Sequence, residues 1–274
     1  MTQKRVFSAA FLLFFTLFSL NLSAQKKAAQ KVVSGTVLLQ NRKPLDQKSL
    51  LNALRSTWKV RADSLNAGDK TLIFNTQGGA TVMIAYLDYP AATDLVGVAA
   101  RFSWIWSTAQ QETASHQAQL VISVIGDNRK SLDLYKIFTQ TTAAVLETTS
   151  AAGVLIEAQY LLLSPGYFSA SASNMLKNQI IPLYCWVYFG RPGEGGGFTL
   201  GLAEFGLPEM EISASEQAEP EVHALLYDAA LTVLKYGTQV KDGETITTEE
   251  GNKVMVKLVP SAFVDNPAVL RLEY

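Results

Sequence analysis

The sequence is poor in the residues that most often bind metals or act as nucleophiles, with one cysteine and two histidines among 274 residues. A lone Cys185 cannot close an intramolecular disulfide, so burial of a core must hold the fold together. His116 and His223 have no neighbour at the spacing of metal ligands, and zinc enzymes normally use three protein ligands. We therefore predict no metal site and no cofactor, and we expect His116 to bond the last carbonyls of its helix instead.

Short catalytic motifs are also missing. The chain has no Gly-x-Ser-x-Gly, the turn that carries the nucleophile of many hydrolases. The glycine-rich stretch over residues 191–197 lacks the Lys-Ser/Thr pair of a phosphate-binding loop and leads into a strand, so it predicts a hairpin loop. Cys185 lies in a run that is apolar on both faces, which is typical of a buried structural thiol. We predict no catalytic residue, and the sequence leaves enzymatic activity open while favouring its absence.

Positive charge is not in excess either. The chain has 23 Lys and Arg against 24 Asp and Glu, a formal net charge of −1. Proteins that bind nucleic acids concentrate Lys and Arg in a patch, whereas the basic clusters here lie near the N-terminus. Nucleic acid is therefore not expected as a partner. A hydrophobic fraction of 48% beside 17% charged residues is ordinary for a folded protein, which argues against disorder in the bulk of the chain.

The one long apolar run lies at the N-terminus. Lys4 and Arg5 precede an apolar stretch over residues 7–22 that ends in small residues. This order is typical of a secretory signal peptide, which we predict over residues 1–24 with Gln25 as the first residue of the mature chain. The run is shorter than the roughly 20 apolar residues of a spanning helix, so no stable membrane anchor is expected after cleavage. A retained single-span anchor is the alternative. The protein is expected to be exported, to the periplasm or beyond.

The chain after the signal is predicted to be a single α+β domain over residues 34–274, preceded by a flexible lead-in over 25–33. The order of elements over 34–125 is β-α-β-β-α-β, the ferredoxin-like pattern. The order over 153–274 is the same with one strand to spare, and a helix over 130–147 joins the two halves. The alternative is one continuous mixed sheet with helices on one face.

These elements come from hydrophobic periodicity and from turn residues. Leu50, Leu54 and Trp58 lie on one face of a predicted helix, and the glycines that follow Gln77 predict a hairpin turn. The predicted strands cover 34–39, 71–74, 80–87, 119–125, 154–159, 183–189, 198–203, 254–259 and 268–272. The predicted helices cover 46–58, 93–116, 130–147, a short segment after Pro165, and 221–236.

Three acidic residues in the last third of the chain are the polar side chains that most suggest a functional site. Glu209 and Glu211 are two apart, so an extended strand would direct both carboxylates to one face. Glu204 lies just before Gly206, in a stretch that could bend the strand. Three carboxylates so placed could bind Ca²⁺ or act as acid and base. The alternative, which we favour, is the solvated face of a half-exposed strand.

The same region carries a recognisable pattern of residues. Pro-Leu-x-x-Trp-Val over residues 182–187 is followed by Thr-x-Gly-Leu-x-x-Phe-Gly-x-x-Glu-x-Glu over 199–211. This pattern resembles the bacterial domain-of-unknown-function family 4261. The resemblance implies a single folded unit over most of the mature chain, and it implies no activity, because none is assigned to the family.

These observations favour an exported, non-catalytic binding or accessory protein, whose partner would be a small molecule or an envelope protein. The first alternative is a hydrolase that depends on carboxylates or a divalent metal. The second is a module that neutralises a protein partner through sheet edges or the glycine loop. The candidate ligand- or partner-facing residues are Thr199, Gly201, Glu204, Phe205, Gly206, Glu209 and Glu211. The aromatic residues considered for a sugar or peptide cleft, most of them expected in the core, are Trp104, Trp106, Tyr135, Tyr184, Trp186 and Tyr188.

Overall fold

The computed structural model describes residues 30–127, 129–193, 195–265 and 268–274. The predicted signal peptide and residues 25–29 of the lead-in lie outside this part of the chain, so both stay predictions. Residues 30–33, which we expected in the flexible lead-in, instead begin the first strand. Strands and helices both form the structure, which confirms an α+β fold.

The first sheet is built mainly from the N-terminal half of the chain. Its strands are β1 (Gln30–Leu39), β2 (Ala62–Ala67), β3 (Thr71–Thr76), β4 (Thr81–Leu87), β5 (Ala118–Asp127), β6 (Ala151–Ile156) and β7 (Leu161–Leu163). They lie in the order β2-β3-β4-β5-β1-β6-β7. Every neighbouring pair is antiparallel.

The second sheet is built from the C-terminal part of the chain. Its strands are β8 (Tyr188–Gly190), β9 (Gly197–Leu200), β10 (Met210–Ile212), β11 (Thr245–Thr247), β12 (Lys253–Val259) and β13 (Val269–Glu273). They lie in the order β11-β12-β13-β10-β9-β8. β10 and β13 are parallel, and the other neighbours are antiparallel.

Helices cover both sheets. They are α1 (Gln47–Ser56), α2 (Thr93–Phe102), α3 (Ala109–Thr113), α4 (Ser131–Thr148), α5 (Pro165–Asn178) and α6 (Glu219–Tyr236). Local signals fix the ends of some of them. At the start of α1, Asp46 accepts hydrogen bonds from the Lys48 and Ser49 N–H groups at 3.1 Å each. Gly237, at φ 62°, ends α6 in the left-handed conformation that glycine adopts without strain.

One large core joins the two sheets through α4, α5 and α6. Because side chains alternate along a strand, Val37 of β1 faces this core while Leu38 faces a smaller cluster beneath α2 and α3. Gly35 allows α4 to approach β1 closely, since a Cβ there would lie 2.7 Å from Phe138 Cζ. The helix over 130–147 that we predicted as a connection is therefore a central core element.

The ferredoxin-like halves are not confirmed. β6 and β7 belong to the predicted second half, yet β6 pairs with β1 and extends the first sheet. The extra strand β2 lies beside β3 and gives the first half one strand more than the pattern requires. The alternative of one continuous sheet is not found either, because the described strands form two sheets.

Two predicted elements are shorter in the structure than the sequence predicted. The helix predicted over 93–116 is divided into α2 and α3 by a non-helical segment that begins at Ser103. The strand predicted over 183–189 is mostly a 3-10 turn at Leu183–Cys185, with only its end in β8. The predicted hairpin loop does connect β8 to β9, which pair as antiparallel neighbours. None of the helices in the described part of the chain combines the length and apolar character needed to cross a membrane.

Candidate functional site

The Glu209 side chain is bonded within the fold. Its carboxylate is 2% exposed and lies just before β10. Oε1 accepts from the Gly201 and Ala203 N–H groups at 2.8 and 3.0 Å, and Oε2 accepts from Thr199 Oγ1 at 2.8 Å and the Leu202 N–H at 3.2 Å. Gly201, at φ 129°, turns the chain so that these N–H groups converge. The carboxylate thus ties the 3-10 turn Leu202–Phe205 to the sheet.

Glu211 is bonded to a different set of groups. Its side chain is 1% exposed, and Oε1 accepts from Arg271 Nε at 3.0 Å and Nη2 at 2.6 Å. Oε2 accepts from Ser261 Oγ and the Ala262 N–H, both at 3.0 Å. Arg271 lies directly opposite Glu211 in the parallel pairing of β10 and β13. This ion pair joins the two strands and fixes the segment that follows β12.

The interpretation of Glu209 and Glu211 as a solvated strand face is wrong, because both are buried. Thr199, fully buried, is bonded to Glu209 and to the Met210 N–H at 2.8 Å. Among the sequence candidates, only Glu204, Phe205 and Gly206 reach the surface. The two buried carboxylates therefore have their oxygens bonded within the fold and do not converge on an open site.

The turn that contains Glu204 and Phe205 covers Tyr135 of α4. The Phe205 and Tyr135 rings lie 4.5 Å apart, and Gln159 Nε2 donates to the Tyr135 hydroxyl at 3.2 Å. Burial, aided by the Glu204 charge, raises the pKa of Tyr135. Burial and the Glu209 charge also raise the pKa of Glu204. Tyr135 therefore stays protonated near neutral pH, which makes it a packing residue here and not a base.

The segment that divides α2 from α3 bonds to one edge strand of each sheet. Ser103 Oγ donates to the Leu162 carbonyl of edge strand β7 at 2.6 Å. Trp104 Nε1 donates to the Phe189 carbonyl of edge strand β8 at 3.0 Å. Unpaired carbonyls at a sheet edge invite pairing with another chain. These two side chains occupy one such carbonyl on each sheet.

Large aromatic side chains gather on the surface beside these edges. Phe102 is 47% exposed, Trp104 38% and Tyr160 44%. The Phe102 ring centroid lies 6.1 Å from both the Tyr160 and the Tyr188 rings. We call the exposed residues Phe102, Trp104 and Tyr160, with the buried Tyr188 that packs against Phe102, the aromatic surface. The depression between them has a volume of only about 10 Å³, so the surface is nearly flat.

A histidine lies directly behind this surface. His223 of α6 has its ring centroid 4.8 Å from Trp104, edge to face, and 5.8 Å from Tyr184, nearly parallel to it. His223 Nε2 and the Tyr184 hydroxyl are 2.8 Å apart and share a hydrogen bond. Tyr227, one turn further along α6, stacks on Tyr184 at 4.7 Å. The sequence suggested Trp104 and Tyr184 for a cleft but carried no signal that His223 and Tyr227 lie beside them, because these residues come from segments distant in the chain.

The loop between β8 and β9 is anchored to the same cluster by Arg191. The Arg191 guanidinium lies 5.3 Å from the centroid of the Trp104 ring, a cation–π contact. Its Nη2 also forms an ion pair with Glu219 in the first turn of α6. One side chain thus joins the glycine-rich loop, the aromatic surface and α6.

A larger open cavity, about 550 Å³ in volume, lies at the start of α1 and the end of α4. Its carboxylates are engaged within the fold. Asp46 caps α1, and Glu147 Oε2 accepts from Trp58 Nε1 at 2.8 Å. The lining residues are Leu39, Asn41, Lys43, Pro44, Asp46, Ser49, Glu147, Thr148, Thr149 and Ser150. No feature of this cavity identifies a ligand.

His116 and Cys185, which belong to residue types that often act in catalysis, have structural roles here. His116 Nδ1 lies 2.7 Å from the Thr113 carbonyl at the end of α3, as expected for a residue that bonds the end of its helix. Cys185 is fully buried, which confirms the interpretation as a core thiol. Within the described ranges, no three His, Cys, Asp or Glu residues are grouped so that they could hold a metal ion.

The Cys185 thiol is expected to be inert in the folded protein. Burial raises its pKa to about 12, and the thiolate is the reactive form. A thiol reagent added near neutral pH should therefore label Cys185 only after denaturant unfolds the chain. Rapid labelling of the native protein would contradict the packing described here.

The geometry defines a two-sheet α+β protein with buried structural carboxylates and an exposed aromatic surface. Residues 198–273 match the family described as Domain of unknown function (DUF4261). The matched range begins in β9 and ends in β13, so it covers nearly all of the second sheet and α6. Both buried carboxylates lie within it, and the Pro-Leu-x-x-Trp-Val stretch lies just before it. Neither a curated protein nor a solved structure matches the chain.

Proposed function

We propose that the protein is an exported, non-catalytic binding or accessory protein, and that it contacts a protein partner of the cell envelope through the aromatic surface. The observation that carries the proposal is the convergence of Phe102, Trp104 and Tyr160, each more than a third exposed, from two separate segments. Aromatic residues of this kind dominate the energetics of protein interfaces. Contiguous exposed apolar groups on a folded protein mark such sites.

The shape and the hydrogen bonds of the surface support a macromolecular partner. Pockets for small molecules usually enclose about 300–1,000 Å³, whereas the depression here is nearly absent. Trp104 Nε1 and Ser103 Oγ donate within the fold, so they offer no donor to a polar ligand. What remains for contact is mainly aromatic ring surface, together with the Tyr160 hydroxyl, and it suits the largely apolar side chains of another protein.

The two alternatives from the sequence receive less support. A hydrolase or metal site would need free carboxylates, but Glu209 and Glu211 are both bonded to several donors. Glu204 is the exposed one of the three. A module that pairs through β7 or β8 would need free carbonyls on those edge strands, and the side chains of Ser103 and Trp104 occupy the Leu162 and Phe189 carbonyls.

A site-specific crosslinker tests the contact. A photoreactive amino acid at position 160 should capture a discrete partner in the envelope fraction. The same group at position 236 is the control, because Tyr236 is even more exposed, at 64%, and lies at the end of α6 outside the aromatic surface. Capture at position 160 should fall in a Phe102→Ser background. Equal capture at both positions, or capture that ignores Phe102→Ser, would count against this surface.

Export has its own test. The signal peptide predicts that the mature chain begins at Gln25 or its cyclised form. N-terminal sequencing of protein recovered from the envelope or the medium checks this. Protein that retains its first residues and stays in the cytoplasm would refute the exported part of the proposal.

A further inference from the structure

The position of His223 suggests how the aromatic surface could be regulated. The His223 ring is half-buried and is contacted by Trp104 from the α2–α3 segment, Tyr184 from the 3-10 turn and Phe189 from β8, at 4.8, 5.8 and 5.6 Å. Its Nε2 shares a hydrogen bond with the Tyr184 hydroxyl. The ring extends from α6 and is therefore packed against three other elements.

Two described charged groups act on His223. Arg191 faces it from the loop between β8 and β9, and Glu219 faces it from the first turn of α6. Arg191 lies over the Trp104 ring, which His223 also contacts. A protonated His223 would thus be a second cation beside the same indole and the same carboxylate that hold Arg191.

We propose that protonation of His223 displaces Arg191 from Trp104 and Glu219. The displacement frees residues 191–193 and 195–196 of the loop and uncovers the face of Trp104 within the aromatic surface. The structural change depends only on contacts within this chain. Its consequence for partner binding rests on the proposed function.

The sign of the pH effect follows from the surroundings of the ring. Burial first, and the Arg191 charge second, lower the pKa of His223 below its usual value of 6.5, while Glu219 opposes them. His223 is therefore neutral at neutral pH, when Arg191 is in place. As pH falls below 6.5, the unfolded chain binds the proton more readily than the folded one, so stability contributed by neutral His223 decreases. The same acidification protonates His223, and its positive charge then competes with Arg191 for Trp104 and Glu219.

Hydrogen exchange measured by mass spectrometry tests the displacement. Exchange of the peptide over 191–196 is compared at about pH 7.5 and about pH 5.5, a range that spans histidine titration, after correction for the intrinsic rate. We expect roughly a tenfold increase at the lower pH, on the order of what loss of a cation–π contact produces. The peptide over β5 is the internal control and should not change.

Two variants separate this mechanism from a non-specific loosening of the fold at low pH. His223→Gln keeps an acceptor for Tyr184 but cannot gain the charge, so its loop exchange should not respond to pH. Arg191→Gln should exchange fast at both pH values, and it should raise the midpoint of the His223 titration followed by NMR. A pH response that survives His223→Gln, or a loop unaffected by Arg191→Gln, would overturn the proposal.

The outcome for the proposed function is read separately. If the loop responds as expected but no partner is captured at position 160, the release mechanism stands and the partner-binding role fails. If a partner is captured equally in unmodified protein and in His223→Gln at both pH values, the surface binds but its regulation by His223 is refuted.

Discussion

Replacing Arg271 by methionine is expected to destabilise the protein by about 3–5 kcal/mol, the usual consequence of leaving one buried charge without its partner. Glu211 is 1% exposed and would lose both bonds from the guanidinium, keeping only Ser261 Oγ and the Ala262 N–H. Urea unfolding followed by circular dichroism measures the change.

A neighbouring ion pair supplies the matched control. Lys257 lies opposite Arg271 in the register of β12 and β13, and it pairs with Glu273 at 2.9 Å on the surface. Lys257→Met should lower stability by less than about 1 kcal/mol, as for other exposed pairs. Joint replacement of Glu211 and Arg271 by apolar residues should recover much of the loss. If Arg271→Met is no worse than Lys257→Met, the buried pair does not hold the second sheet together.

Glu209→Gln is expected to cost about 3 kcal/mol or more, because bonds to a charged acceptor contribute about 1.5–3 kcal/mol each and stranded donors add to the loss. The carboxylate accepts from three backbone N–H groups and one hydroxyl. An amide nitrogen placed among those donors would face like groups. Thermal and urea unfolding should both show the decrease.

Glu204→Gln provides the control for Glu209→Gln. Glu204 lies on the same turn and reaches the surface, where partial burial and the nearby Glu209 charge raise its pKa. Its neutralisation should change stability by less than about 0.5 kcal/mol. Equal effects of the two substitutions would show that the carboxylate of Glu209 does not organise the turn.

The sequence predicted the elements whose signals are local. α1 has an apolar stripe and an Asp46 cap, and α6 has an early proline and a terminal Gly237, so both appear close to their predicted bounds. The hairpin of β3 and β4 follows from two apolar runs around a glycine turn. In these elements the same residues set both the local conformation and the buried face.

Other elements depend on contacts that no local pattern reveals. β2, with the sequence ADSLNA, has no regular apolar alternation and is held by pairing with β3. The apolar period of α2 continues past Phe102, yet the chain leaves the helix where Ser103 and Trp104 bond the two sheet edges. The ferredoxin-like pattern matched much of the element order, but the order does not determine which strand lies beside β1.

The candidate site was also only partly predictable, because some of its features have local sequence signals and others depend on tertiary contacts. The spacing of Glu209 and Glu211 was visible, but Arg271 and Ser261 lie 50 to 60 residues away and their contacts were not. Trp104 and Tyr184 were named for a cleft; the structure instead places Trp104 in a flat surface and packs it against Tyr184 and His223. Burial of the carboxylates and convergence of the aromatic residues are both tertiary properties.

The central claim is that the aromatic surface binds a partner while the buried carboxylates only hold the fold. The most direct test measures two quantities for the Phe102→Ser, Tyr160→Ser double variant: capture of the envelope partner by an affinity-tagged form of the chain, and the free energy of unfolding. Both side chains are largely exposed, so we predict loss of capture with less than about 1 kcal/mol lost in stability. Undiminished capture by a folded double variant would contradict the account.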